Sequence, residues 1–440
     1  MQNEKLGFWE VTAIGVGGMV GGGIFAVLGL SVELTRGAAP LAFLLAGSVA
    51  LVTAYSYARL SVSYPSQGGT VAFLDQAFGS GLLTGSVNIL LWLSYIVMLA
   101  LYAYAFGSYG ASLFPAATQA IWKHILISAA ILGITGLNLL STRIIGDAED
   151  WIVFIKLAIL LLFIVMGIGG IDNSRLASAT WPASMHIIAG GMLIFLAYEG
   201  FELIANSAQD VRNPAKTLPR AYYTAVGSVI VLYFLIAIVT VGSLPVNQII
   251  KAKDYALAEA ARPFLGQFGF QLIAVAAMLS TASAINATLY GTARLSYCIA
   301  KDGELPRTLA NKVWNEPIEG LLITTVITLL VANLVDLSNI STMGSAGFLL
   351  IFAAVNAANA KQAAKTASRR WISVLGVLLC LAALASLLLQ NIHQSPQQLW
   401  VPITMFAIAF LIEASYRMIT GRRIQLPRSF TQKTDPDHQA

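Results

Sequence analysis

Three stretches of this sequence set polar chemistry inside apolar surroundings. Gly15-Val-Gly-Gly-Met-Val-Gly-Gly-Gly23 places six glycines in nine residues within a hydrophobic run. Phe195-Leu-Ala-Tyr-Glu-Gly-Phe-Glu202 sets two carboxylates around a glycine in another. Lys156 is the single cation of Trp151-Ile-Val-Phe-Ile-Lys-Leu-Ala-Ile-Leu-Leu-Leu-Phe163. Glycine at such density disfavours continuous helix by about 1 kcal/mol per residue relative to alanine, so the first stretch predicts a break. A half-helix starting near Gly22 or Gly23 would direct free amides and the positive end of its dipole at a carboxylate. Carbonyls near Met19 would face an ammonium. Gly200 permits a second break, beside Glu199 and Glu202, and each charge there costs at least ~2.5 kcal/mol at a bilayer centre unless it meets water or a partner.

The elements that must carry these groups follow from composition. The 440 residues are 57% hydrophobic and 11% charged, with mean hydropathy +0.74, whereas soluble domains carry about 25% charged residues. A span of about 20 apolar residues crosses a bilayer, and the sequence supplies twelve such runs: near 8–33, 40–64, 81–110, 121–141 and 149–170; near 186–206, 219–242, 266–300, 319–337 and 343–360; and near 371–390 and 400–419. The expected fold is all-α and integral to the membrane. It forms one transmembrane domain over 1–420, in which 1–170 and 185–365 are two five-span groups and 371–420 adds spans 11 and 12. A basic tail, 421–440, follows. Met1-Gln-Asn-Glu-Lys-Leu-Gly-Phe-Trp-Glu-Val11 lacks the basic head and small-residue cleavage site of a secretory signal, so span 1 is expected to remain uncleaved.

Charge sets the orientation. With the N-terminus inside, nineteen of the 26 lysines and arginines fall in cytoplasmic links and adjoining helix ends, as the positive-inside rule requires. Both termini are therefore expected in the cytoplasm, and the chain in the cell membrane. The stretch from Arg417 to Lys433 reads as a juxtamembrane segment meeting lipid headgroups, and no basic stripe interleaved with aromatics speaks for nucleic acid. Cys298 and Cys380 cannot build a disulfide framework or a thiolate metal site. His124, His186, His393 and His438 have no metal-ligand spacing, so neither a metal nor an enzyme active site is expected.

The two breaks lie about 180 residues apart, close to the offset between the two five-span groups. Breaks at corresponding places in two halves mark inverted-repeat transporters.

These residues, with Tyr57-Ala-Arg-Leu60, Tyr64-Pro-Ser-Gln-Gly-Gly69, Ala77-Phe-Gly79, Asp210-Val-Arg-Asn-Pro-Ala-Lys-Thr-Leu-Pro-Arg-Ala221 and Ala300-Lys-Asp-Gly-Glu-Leu-Pro306 in that order, resemble the amino acid–polyamine–organocation permeases over essentially the whole chain. Lys156 and Ala284-Ile-Asn-Ala-Thr-Leu-Tyr-Gly291 resemble the proton-coupled, sodium-independent members. The resemblance implies a five-plus-five inverted repeat with helices 1 and 6 broken. It implies a substrate carboxylate on the amides of Gly21, Gly22 and Gly23, and an amino group on carbonyls near Met19 and Phe195. The gating aromatic of helix 6 falls at Leu196 or Phe195, so this chain departs from the family's tryptophan there. Lys156 would take the place of a sodium ion, bridging carbonyls near Gly17 to Ser280 or Ser283, and loss of its proton would unlink helices 1, 5 and 8. Alternatively Lys156 snorkels to the interface and only anchors its helix.

Glu199 would select a basic side chain or amine, or point away into the gate. Glu202 would be a pH-responsive conformational carboxylate or a helix-end cap. Tyr198, within the same break, would also line the substrate pocket, and Tyr95, Tyr102, Asn286 and Thr288 would line it from helices 3 and 8. The expected function is secondary active transport of amino acids with a proton as partner and no cofactor. An exchanger of amino acids or amines, including cationic amino acids or polyamines, is the alternative. A channel and a non-transporting amino-acid sensor are the other classes weighed.

Overall fold

The computed structural model describes residues 5–140, 143–301, 303–305, 318–394 and 396–421. The expected tail from Arg422 onward lies outside them. The described residues are almost wholly helical. In the first half they form α1 (Phe8–Met19), α2 (Gly23–Thr35), α3 (Ala39–Ser63), α4 (Gly69–Phe78), α5 (Leu82–Ala111), α6 (Gln119–Leu140) and α7 (Arg143–Gly167). Next come α8 (Ser184–Leu193), a 3-10 stretch over Phe195–Glu202, and α9 (Pro214–Ser243), α10 (Ala256–Lys301), α11 (Ile318–Leu334), α12 (Leu337–Lys361), α13 (Arg370–Gln394) and α14 (Trp400–Thr420).

Each hydrophobic run read from the sequence is helical, and the first is interrupted where its glycines cluster. Among the described residues nine helical segments are long and apolar enough to cross a membrane, ten when the bent pair Ser184–Leu193 and Phe195–Asn206 counts as one. The difference from twelve arises at two places. The break leaves α1 with 12 residues while α2 runs on towards α3, and α11 has 17 residues, about 25 Å at 1.5 Å per residue.

Local chemistry sets several boundaries. Pro214 opens α9, where its missing N–H costs nothing. Within α10, Gly266 has φ +62° and ψ −153°, a conformation that side chains avoid, so the helix kinks there and its long apolar part starts close to the expected residue 266. Helix α7 starts at Arg143, earlier than the expected 149. Lys156 is therefore about 20 Å along its helix, where a start at 149 would put it about 10 Å along.

Helix α5 is buried along most of its length, whereas α6, α7 and α14 leave most of their apolar surface outside, as a lipid-facing shell does. In the middle of the bundle α9 lies along α3, α10 along α5, and α1 against α9 and the 3-10 stretch. Polar side chains tie these helices together. Asn356 donates to Thr53 at 3.0 Å, and Asn359 donates to Ser373 at 2.8 Å, contacts of the kind that hold helices where lipid offers no hydrophobic drive.

Arg417 corrects the expectation of a headgroup contact. It is 2% exposed, pairs with Glu413 one turn earlier, and donates to the Ser80 carbonyl at 2.8 Å. An arginine inside the bundle must be paired, and the inner face of α14 supplies its partner.

Candidate functional site

Both expected breaks are present, and they touch. Helix α1 ends at Met19, Val20–Gly22 are non-helical, and α2 begins at Gly23. Helix α8 ends at Leu193, and Phe195–Glu202 winds as 3-10 helix. A Cβ built on Gly200 would sit on the backbone of Gly18 and Met19, and one on Gly23 would lie 2.8 Å from the Ala197 Cα. Glycine is required here because two backbones meet.

Broken backbone inside a membrane protein must find partners for its polar groups, and neighbouring helices provide them. Lys156 Nζ, from α7, donates to the Gly17 carbonyl at 3.0 Å, with the residue 2% exposed. Ser280 Oγ, from α10, donates to the carbonyls of Val20, at 2.9 Å, and Gly21. Ser283 lies half-buried one turn further along α10. Tyr233, from α9, donates to the Met19 carbonyl at 2.6 Å and reaches the Ala197 carbonyl at 3.4 Å. At the second break Ser341 and Ser345, from α12, donate to the Leu193 carbonyl at 2.7 and 2.8 Å, and the Leu196 amide donates to Ser345 Oγ at 3.2 Å. The amides of Gly21 and Gly22 donate to no described group.

The 3-10 winding sorts the second break into faces, since residues three apart align. Leu196, Glu199 and Glu202 fall on one face, and Phe195, Tyr198 and Phe201 on another. Glu199 is 3% exposed. Its Oε1 accepts from Tyr102 at 3.2 Å, and its Oε2 is buried without a hydrogen-bond partner. The Tyr102 ring packs over Gly22, so one tyrosine spans both breaks. Glu202 Oε2 accepts from Tyr57 at 2.9 Å and Thr70 at 3.0 Å, and Tyr95 approaches the same carboxylate. Glu202 thus joins the second break to α3, α4 and α5.

Two sequence-predicted pocket residues turn elsewhere. The Tyr198 hydroxyl donates to the Phe43 carbonyl of α3 at 3.0 Å. Asn286 accepts from Asn138 of α6 at 2.8 Å, on the side of α10 away from the breaks. Phe195 packs its ring against Phe352, with centroids 5.8 Å apart. The roles of Tyr233, Ser341, Ser345, Tyr57 and Thr70 went unread, because a hydroxyl on an apolar helix has no sequence signature of the carbonyl or carboxylate it will meet.

Two cavities flank the breaks. One, of about 1100 Å³, is lined by Glu33, Arg175, Trp181, His186, Lys253 and Asp336 among others. The other, of about 390 Å³, runs from Thr70, Tyr95 and Thr288 past Gln67 and Arg294 to Cys298. The polypeptide from His186 to Asn206 enters beside the first and leaves beside the second, so the cavities open at opposite ends of the bundle with the sealed breaks between them.

The amino acid permease family model matches residues 6–414. The chain belongs to that family. This permease is 35% identical to an uncharacterized protein of Methanocaldococcus jannaschii over 96% of its own length and 97% of the relative's. It is 34% identical to an inner membrane transport protein of Escherichia coli, over 80% of this chain and 82% of that one. It is 28% identical to a methylthioribose transporter of Bacillus subtilis, over 80% of each. A multi-pass membrane transporter rather than an enzyme is thus the class of the permease, with amino acids or related small molecules as its substrates.

Proposed function

We propose that this permease carries amino acids across the cell membrane by alternating access, independently of sodium, with proton movement coupled through Lys156. In this reading the chain crosses the membrane twelve times with both termini in the cytoplasm. Residues 1–170 and 185–365 are inverted five-helix repeats, and 371–420 adds two helices. The observation that carries the reading is the contact of Gly18 with Gly200 between two cavities at opposite ends of the bundle. Two broken helices in contact leave unpaired amides where a substrate carboxylate can bind, and rocking one against the other would expose the site to each side in turn.

Coupling follows from the cation at the break. Lys156 donates to the Gly17 carbonyl in the last turn of α1, where the break leaves the helix-end oxygens in need of partners. When its proton leaves, that hold on α1 weakens and α1 can move relative to α7 and α10. Glu199 favours a second reading, exchange of cationic amino acids or amines, because its buried Oε2 has no partner and a substrate ammonium or guanidinium would supply one. Glu202, held by Tyr57 and Thr70, would couple the second break to the rest of the bundle.

The test is a competition panel in proteoliposomes under an imposed pH gradient, without sodium. Saturable accumulation of a labelled amino acid driven by the gradient supports symport. Uptake that depends on internal amino acid and ignores the gradient supports exchange. Binding without flux returns the protein to the sensor class.

A further inference from the structure

The 390 Å³ cavity has a cationic mouth and a neutral, hydroxyl-lined inner end that backs onto a buried carboxylate. At its mouth Arg294 of α10 is exposed. Its Nη2 donates to Gln67 Oε1 at 3.0 Å, and its guanidinium carbon lies 5.5 Å from the centre of the Tyr290 ring. Among the described residues no carboxylate pairs with it. A guanidinium steadied by a neutral amide and an aromatic face keeps its charge available, and its planar fork suits a carboxylate. At the deep end Thr70 and Tyr95 form the wall, and directly behind them stands Glu202, hydrogen-bonded to Thr70. The volume lies in the range of small-molecule pockets.

We propose that this cavity is a second substrate site on the cytoplasmic side, where an amino acid rests with its carboxylate on Arg294 and its ammonium towards Glu202. The inference rests on the transport reading above and narrows its substrate class. A zwitterion complements both ends, whereas a polyamine has no group for Arg294 and meets its positive charge. Release into the cytoplasm then occurs in two steps, and capture from the cytoplasm begins at Arg294.

Cys298 lies one turn beyond Arg294 in the same cavity wall, while Cys380 is buried beside Thr53 and Asn356. Inside-out vesicles therefore allow a direct test in a Cys380→Ser background. A transported amino acid at saturating concentration should slow alkylation of Cys298 by an impermeant maleimide, and a carboxylate-free diamine should not. Arg294→Gln should raise the half-saturating amino-acid concentration about tenfold on the cytoplasmic side, as loss of about 1.4 kcal/mol does, and leave the opposite side within about twofold. Arg294→Lys should restore most of the affinity. Equal shifts on both sides, as from an arginine that holds a lipid phosphate, or protection of Cys298 that survives Arg294→Gln, would overturn the proposal. If wild-type liposomes show no flux while amino acid still protects Cys298, the transport reading fails and the cavity site stands.

Discussion

Gly200 lies backbone to backbone on Gly18, so that the two broken helices meet with no side chain between them. A methyl group at residue 200 would have to displace the main chain of Gly18 and Met19. Gly200→Ala should therefore destabilise the protein by about 1–3 kcal/mol, the usual cost of overpacking, and abolish substrate binding. Gly227 in α9 meets nothing within 4 Å, and Gly227→Ala should be neutral or stabilising by up to about 1 kcal/mol. Thermal unfolding in detergent, with and without amino acid, compares the pair.

Tyr233 satisfies the Met19 carbonyl, which a substrate ammonium would also use. Tyr233→Phe should lower the stability of the empty protein by about 1–3 kcal/mol, the cost of leaving a buried acceptor unpaired. Amino acid should then raise the melting temperature of the variant by more than it raises that of the wild type. An equal substrate-induced shift in both would show that the ammonium goes elsewhere.

Lys156 bridges α7 to the first break. Lys156→Ala should eliminate accumulation driven by a pH gradient, measured with a labelled neutral amino acid in proteoliposomes. Coupled uptake that persists in the variant would reduce Lys156 to an anchor of its helix.

The partnerless oxygen of Glu199 predicts a preference for positive charge. Glu199→Gln should weaken competition by lysine and arginine about tenfold or more, since a hydrogen bond to a charged group contributes roughly 1.5–3 kcal/mol, while neutral amino acids change little. Unaltered competition by both cationic amino acids would remove Glu199 from the recognition surface.

Breaking a buried ion pair strands its other member, at a cost of about 3–5 kcal/mol. Arg417→Met should accordingly sharply reduce the yield of folded protein. The double variant Glu413→Leu with Arg417→Met should recover most of it, and a melting series of the three proteins measures the difference.

The glycine run and the Glu-Gly-Phe-Glu motif marked both breaks from sequence because each violates helix or membrane preference strongly enough to need a cause. Lys156 was legible for the same reason, whereas Ser280 entered only through the family resemblance, and both reach carbonyls of the first break. Tyr198 and Asn286 were assigned to the pocket and face α3 and α6 instead. For Tyr198 the reason is that lying within a break does not say which way a side chain turns, and the 3-10 winding aligns it with Phe195 and Phe201 rather than with Glu199 and Glu202. Arg417 resembled a headgroup anchor because its position near the end of the last span says nothing of the acidic residue one turn away pointing inward with it. Hydroxyls such as Tyr233 and Ser345 acquire meaning only when the fold brings them to an unpaired carbonyl.

A density map of the permease with a bound amino acid tests the central claim most directly. The account predicts the substrate carboxylate on the amides of Gly21–Gly23, and its ammonium on the Met19 or Ala197 carbonyl in place of the Tyr233 hydroxyl. A map in which the amino acid sits away from both breaks, or in which α1 continues unbroken into α2, would contradict it.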